Sequence, residues 1–230
     1  MASSSAARAR QSKTALNSDD MVAMRTAEAV AWARRNVRTI VVATALLGAA
    51  VLGLIIWKVS EANKATRAAG AFLSLQQDPS ISTPAGAAKI EAFIRANGGT
   101  MEADEARMML AEVRLRGNQA RQAIPPAREV ADGGGPLAVQ AAMLLGDAHF
   151  QAGERAAAVA AYERAAKMAR LEMHKFEALN QAAQVHENAG AFGEAARLYE
   201  RMLQQAEKGS PRATVIEMRL TEARARAGAR

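Results

Sequence analysis

One stretch of this sequence limits what the chain can fold into more than any other. Residues 39–57 carry no charge and lie between Arg38 and Lys58. At about 1.5 Å of rise per residue, a helix of this length covers roughly 28 Å, close to the ~30 Å hydrocarbon core of a bilayer. Core helices of soluble proteins seldom run this long without a charge. The sequence therefore predicts one transmembrane helix over residues 39–57.

A cleaved signal peptide would have a different layout. Its charged region would here be 38 residues long, and its apolar region would exceed the usual ~7–15 residues. In addition, Trp57-Lys58 stands where small residues are expected at a cleavage site. We therefore interpret the stretch as a retained membrane anchor.

Basic residues predict the orientation of the anchor. Seven of them precede it, whereas the twenty residues that follow contain three. By the positive-inside rule the N-terminus is cytoplasmic, and the rest of the chain lies across the membrane. The Ala/Arg-rich composition favours a bacterium, so we predict an inner-membrane protein with a periplasmic C-terminal domain. The residues expected at the two membrane interfaces are Trp32, Arg34, Arg35, Arg38, Trp57 and Lys58.

Small residues recur every four positions inside the anchor, at Ala45, Ala49 and Gly53. Small side chains let a second helix approach closely, so this stripe is a candidate face for a partner helix. Such stripes also arise by chance in Ala-rich spans, and the sequence leaves both interpretations open.

Composition excludes several classes of function. Seven basic and three acidic residues precede the anchor, and 23 and 20 follow it, so the high pI says little about nucleic-acid binding. The absence of cysteine excludes a disulfide framework, a thiolate zinc site and a Cys nucleophile. The three histidines, His149, His174 and His186, do not form a metal-ligand motif, since none has a second histidine one helical turn away, and packing explains the first and the last. We predict neither an enzyme nor a cofactor or metal site.

Breakers and caps predict a chain of helices. Residues 1–17 are small, polar and basic and are expected to be disordered, with a helix starting near Ser18. Pro125-Pro126 requires that the helix around it be kinked or begin at the prolines. A helix that includes the anchor should reach about residue 77. The remaining predicted helices cover residues 84–97, 101–116, 119–131, 136–152, 154–170, 173–189, 192–207 and 211–226.

A self-comparison finds an internal repeat. At an offset of 37, Gly153 aligns with Gly190, Ala158 with Ala195, and the segment Tyr-Glu-Arg at 162–164 with the same segment at 199–201. The matches fall on both helices of a pair. A helix pair of this kind cannot bury its apolar face alone, so it must stack on neighbouring pairs.

This pattern resembles the tetratricopeptide repeat. The first copy is carried by Leu145-Gly146, Phe150, Gly153, Ala158, Tyr162 and Ala165, and the second by Ala182-Ala183, Gly190, Ala195, Tyr199 and Met202. A weaker copy at 103–131 has Met109-Leu110 and Gly117, with Ala123 one place late and Pro126 in the place of the aromatic residue. The resemblance implies an all-α fold: one transmembrane helix plus an α-solenoid of antiparallel helix pairs. We divide the chain into a tail (1–38), the anchor (39–57), connecting helices (58–100) and a repeat domain (101–230).

The whole layout is similar to that of the ancillary Sec-translocon subunit family. Its elements are a basic lead-in, one Gly/Ala-rich anchor that ends in an aromatic residue and a charge, a continuing Ala-rich helix and degenerate repeats. The resemblance implies binding to the translocon channel and to a membrane-tethered periplasmic chaperone, without a catalytic residue.

In the tetratricopeptide arrangement, the first helix of each pair lines a concave groove. The resemblance places eight side chains there, namely Arg107, Arg114, Met143, Asp147, Phe150, Asn180, Gln184 and Asn188. These polar groups and two apolar ones could hold a peptide segment, although an ordinary solvated face would look the same.

Two functional hypotheses follow. In the first, the chain is a membrane-anchored scaffold whose repeats bind protein partners near the secretion channel. In the second, it is a structural subunit that braces the extramembrane part of another large complex, respiratory or photosynthetic. The sequence does not separate them.

Overall fold

The computed structural model describes residues 18–229, which form ten α-helices and no strand. The predicted all-α fold is thereby confirmed, while the prediction of disorder for residues 1–17 lies outside the described part. The helices are α1 Ser18–Arg35, α2 Val37–Gln76, α3 Pro84–Asn97, α4 Met101–Arg116, α5 Ala120–Asp132, α6 Ala138–Gln151, α7 Arg155–Met168, α8 Glu172–Asn188, α9 Phe192–Leu203 and α10 Pro211–Gly228.

The chain divides into two compact units, one that ends at Glu61 and one that begins at Ala62. Backbone hydrogen bonds continue across the boundary between α1 and α2, because the Asn36 amide donates to Trp32 and the Ile40 amide donates to Asn36. Within α2 lies a stretch that is long and apolar enough to cross a membrane, with a mean hydropathy of 2.6 and no buried residue. This stretch lies where the sequence predicts the anchor.

Side-chain caps begin three helices of the C-terminal unit. The Thr83 hydroxyl accepts a hydrogen bond from the amide of Gly86 (3.3 Å), and the Ser210 hydroxyl accepts one from Ala213 (3.2 Å), each beside a proline at the first helical position. Both helices begin at the residues where the sequence predicts them, 84 and 211. Thr100 caps α4 in the same way.

The two prolines lie inside α5. The helix begins at Ala120, five residues before Pro125, so the alternative that it starts at the prolines is wrong. Proline has no N–H, and the residue four places before it keeps an unpaired carbonyl. For Pro126 that residue is Gln122, whose carbonyl oxygen accepts a hydrogen bond from Arg114 Nη1 at 2.6 Å. A side chain from α4 therefore replaces the missing backbone bond.

One turn geometry joins the two helices of each pair. Asn118, Gly153 and Gly190 adopt positive φ angles of 57°, 81° and 70°, each two residues after a helix ends. In each turn, the amide of the next residue donates at 2.8 Å to the carbonyl five residues back, as in a Schellman cap. The three bonds run from Gln119 to Arg114, from Glu154 to His149, and from Ala191 to His186.

These turns fix the register of the weaker repeat. Because Asn118, rather than Gly117, takes the left-handed position, this copy is offset by 35 residues from the next one. Ala123 then aligns with Ala158, and it is not displaced. Ala127 rather than Pro126 occupies the place of Tyr162, and it is fully buried.

The core of the repeats is rich in alanine, which lets the helices approach closely. Helices α4–α9 pack in sequence, α10 packs on α9, and α4 also contacts α6. One close approach is at Gly146 in α6, where a Cβ atom would lie 2.5 Å from the ring of Tyr162 in α7. A second cluster joins the end of α2 to α3 and α4, with the rings of Phe72 and Phe93 5.6 Å apart.

Candidate partner-binding surface

The two arginines predicted for the groove are engaged in contacts between helices. Arg107 is only 9% exposed, and its guanidinium group contacts Asp104 (3.1 Å) and Glu129 of α5 (2.6 Å). Its Nε atom is buried and has no hydrogen-bond partner among residues 18–229. Arg114 pairs with Glu91 of α3 and also donates to the carbonyl oxygen of Gln122 in α5. Both guanidinium groups therefore hold α4 to its neighbours.

The three predicted groove residues of α6 have different environments. Met143 is half-buried and packs against the core, whereas Phe150 is 39% exposed. One carboxylate oxygen of Asp147 accepts a hydrogen bond from the hydroxyl of Tyr162. Of the three, Phe150 offers the largest apolar surface to a partner.

Asn180, Gln184 and Asn188 lie along α8. Gln184 and Asn188 are exposed, and Asn180 is half-buried. No residue of the predicted groove lines any of the three cavities described below. The groove stays a prediction, and the concave parts of the surface are elsewhere.

Tyrosines connect the two helices of a repeat. The Tyr162 hydroxyl donates to Asp147, and that of Tyr199 donates to Glu187 at 3.1 Å. Burial, with the neighbouring carboxylate, raises the pKa of Tyr162 and raises that of Tyr199 to about 12. Burial and nearby Glu177 also raise the pKa of Asp147, against the effect of its hydrogen bond. These hydroxyls stay protonated, and each links the two helices of its repeat.

His149 is buried between two charged side chains. Its Nδ1 lies 2.6 Å from a carboxylate oxygen of Glu154, and its Nε2 lies 3.4 Å from Nη2 of Arg128. Arginine only donates, so Nε2 is the acceptor and the proton is on Nδ1. The side chain thus joins α5 to the α6–α7 turn.

A ladder of ion pairs explains why the segment Tyr-Glu-Arg recurs. In each copy the arginine pairs with the preceding repeat and the glutamate pairs with the following one. The pairs are Arg164 with Asp132, Arg201 with Glu163 (2.8 Å) and Arg224 with Glu200 (2.7 Å). Sequence comparison found the repeated residues but not their partners, which lie 24 to 38 positions away.

Among the cavities formed by the described residues, three open on the edges of the helix stack. The largest, about 680 Å³, lies between the α5–α6 and α7–α8 turns, and another of about 540 Å³ lies between the start of α8 and the α9–α10 turn. The third, about 360 Å³, lies on the opposite edge at the α4–α5 and α6–α7 turns. The first two contain exposed apolar groups and the third is lined mostly by amides and alanines.

Stacked helix pairs with one repeated turn and one repeated ion pair define an α-solenoid, a class whose members present extended surfaces to other proteins. The chain belongs to the tetratricopeptide repeat-like domain family, which matches residues 31–225. No curated protein matches the chain, and no solved structure does. Domains of this kind are generally non-catalytic interaction modules. The fold therefore supports a scaffold for protein–protein interaction.

Proposed function

We propose that this chain is a membrane-anchored scaffold with a cytoplasmic N-terminus and a periplasmic repeat domain. The observation that carries the proposal is the extent of the family match, which begins before the apolar stretch and ends in α10. The predicted anchor and the repeats thus fall within a single family match. A single span confines the repeats to the membrane surface, which raises their effective concentration near a membrane-embedded partner.

The partner we propose is the protein-secretion channel, together with a membrane-tethered periplasmic chaperone. The resemblance of the layout to the ancillary Sec-translocon subunits supports it. The basic flank before the anchor and the small-residue stripe on it give the anchor an orientation and a face. The side chains of Phe150, Gln184 and Asn188 are exposed and are the predicted groove residues that a peptide segment would contact.

The first experiment is purification of the tagged full-length protein from its own membrane in mild detergent, followed by mass spectrometry. Channel and chaperone subunits recovered in stoichiometric amounts would support the proposal. Recovery only with haem- or pigment-bearing subunits would overturn it and favour a bracing role in another complex.

A pair of variants tests whether the small-residue stripe of the anchor contacts a partner helix. A Cβ atom at Gly53 meets nothing within 4 Å, so Gly53→Leu does not clash within the chain and any loss of partner reports on the partner helix. Gly48→Leu is the matched control, because Gly48 is equally open and lies off the stripe. We expect Gly53→Leu to reduce co-purification and Gly48→Leu to leave it unchanged. Equal recovery with both variants would exclude the stripe as the interface.

The orientation is tested by protease protection. A periplasmic repeat domain is cleaved in spheroplasts and protected in sealed inside-out vesicles. The reverse pattern would place the repeats in the cytoplasm and contradict the proposal.

A further inference from the structure

The two larger cavities lie on one edge of the helix stack, where the second helix of each pair turns into the next pair. One is formed by the α5–α6 and α7–α8 turns, and the other by the start of α8 and the α9–α10 turn. We call residues 134–140, 167–176 and 202–212, which form this region, the basic edge.

The first turns of α8 join the two cavities. Leu171 and His174 line the larger cavity, while Glu172 and Phe176 line the smaller one. Residues on either flank of a single helical segment therefore face different cavities. One partner segment that crosses the start of α8 would contact both.

Apolar side chains are exposed at this crossing point. Leu171 is 59% exposed and Met173 is 58% exposed, which is high for large apolar residues. The ring of Phe176 is covered by the guanidinium group of Arg212, 5.2 Å from the ring centroid. The surface thus offers two recesses lined in part by apolar side chains. The smaller one is also lined by Glu172, Glu207 and Arg212.

The charges of the basic edge are unbalanced. Its residues include five that are basic and two that are acidic. Lys175 and Glu172 form one weak pair at 4.0 Å. Among residues 18–229, neither Arg170 nor Arg212 has a carboxylate partner. In contrast, the ladder arginines on the second helices, Arg164 and Arg201, are paired with carboxylates.

The opposite edge provides a natural comparison. Its cavity is about half the volume of the largest one and is lined mostly by Asn, Gln and Ala side chains, with Arg121 as its one charged residue. Of the three cavities, only the two on the basic edge combine large apolar side chains with an arginine that has no carboxylate partner among the described residues.

We propose that the basic edge is a docking surface for an acidic protein segment. Apolar side chains of that segment enter the two cavities, and its carboxylates pair with Arg170 and Arg212. The charge complementarity selects the partner, and the recesses supply the apolar contact. This surface is separate from the groove on the first helices. The inference rests on the proposed scaffold function.

Site-specific photo-crosslinking in the native membrane tests it. A benzophenone amino acid replaces Met173 in the full-length chain, which leaves the cavity-lining residues intact, and mass spectrometry identifies the peptide that it captures. The comparison probe replaces Gln119 on the opposite edge. We expect capture at position 173 of a protein segment with carboxylates next to apolar residues, and little capture at position 119.

Charge reversal provides the matched variants. Arg170→Glu should lower the yield of that crosslink roughly fivefold or more, whereas Arg121→Glu on the opposite edge should leave it unchanged. Capture of lipid, of a second copy of this chain or of a basic segment would overturn the proposal. A crosslink yield that Arg170→Glu leaves unchanged would also overturn it. Co-purification of the wild-type chain with its partners separates the two claims. If it succeeds while the crosslink fails, the scaffold function stands and the docking surface is wrong.

Discussion

The guanidinium group of Arg114 donates to the carbonyl oxygen of Gln122, the group that Pro126 leaves without its helical partner. The same side chain pairs with Glu91, so it holds α3, α4 and α5 together. An α-helix with two internal prolines is tolerated here because a neighbouring helix supplies a donor.

The first prediction is that Arg114→Ala destabilises the fold by about 2–3 kcal/mol, since it leaves the carbonyl of Gln122 without its donor and Glu91 with only a longer pair to Arg95 (3.9 Å). In a Pro126→Ala background, the restored N–H of residue 126 can bind the carbonyl of Gln122, and Arg114→Ala should cost roughly 1 kcal/mol less. Chemical denaturation of the full-length variants in detergent, followed by circular dichroism, measures both values. An identical cost in the two backgrounds would show that the bond contributes nothing.

The close contact between α6 and α7 gives the second prediction. Gly146→Ala places a methyl group within 2.5 Å of the Tyr162 ring and should destabilise the protein by about 1–3 kcal/mol. Gly193→Ala in α9 meets nothing within 4 Å, and it should be neutral or stabilising by up to about 1 kcal/mol. The two substitutions are chemically the same, so a similar effect of both on the denaturation midpoint would contradict the close approach.

The third prediction concerns pH. Hydrogen bonds from Lys89 and Ser80 lower the pKa of Asp78 from 3.8 to about 2. A carboxyl whose pKa is lowered on folding stabilises the protein above its unfolded pKa, and this contribution is lost as the pH falls through the folded value. We therefore expect Asp78→Asn to lower the melting temperature at pH 7, with a difference from wild type that shrinks between about pH 4 and pH 2.

The control for this experiment is Glu112→Gln, because Glu112 is exposed and has no ion pair among the described residues. It should show a much smaller difference at every pH. A difference for Asp78→Asn that persists unchanged at pH 2 would mean that the carboxylate charge is not what stabilises the loop before α3.

The fourth prediction separates two histidines in equivalent repeat positions. His149 is buried and contacts Glu154 and Arg128, whereas His186 is half-buried. His149→Ala should therefore destabilise the fold by about 1–3 kcal/mol, more than His186→Ala does. If thermal unfolding shows the same decrease in stability for both variants, then the position in the repeat, rather than the hydrogen bonds of His149, determines the loss of stability.

Most of the helices could be predicted because their limits are local signals. Thr83-Pro84 begins α3 where a cap and a proline predict it, and α4 covers Met101–Arg116 as expected from its flanking residues. The register of the weaker copy at residues 103–131 was harder to predict from the sequence. Gly117 is the natural candidate for a left-handed residue, but Asn118 takes that conformation, which non-glycine residues adopt only where local bonds support it.

The roles of the arginines depended on contacts that sequence does not give. Arg114 and Glu91 are 23 positions apart, and Arg164 and Asp132 are 32 apart, so their pairing follows from helix packing. For the same reason, a groove assigned by repeat position included two arginines whose charges are used between helices. The cavities of the basic edge are formed by turns from different repeats, and no local pattern indicates them.

The ladder of ion pairs gives each repeat a complementary front and back. Arg164 pairs with the preceding repeat and Glu163 pairs with the following one. A second copy of residues 154–190 inserted after Gly190 would therefore find an oppositely charged partner at both of its junctions. The array can therefore be lengthened by whole units without leaving an unmatched end. The length of the helix stack is in that sense an adjustable dimension, set by how many units are joined.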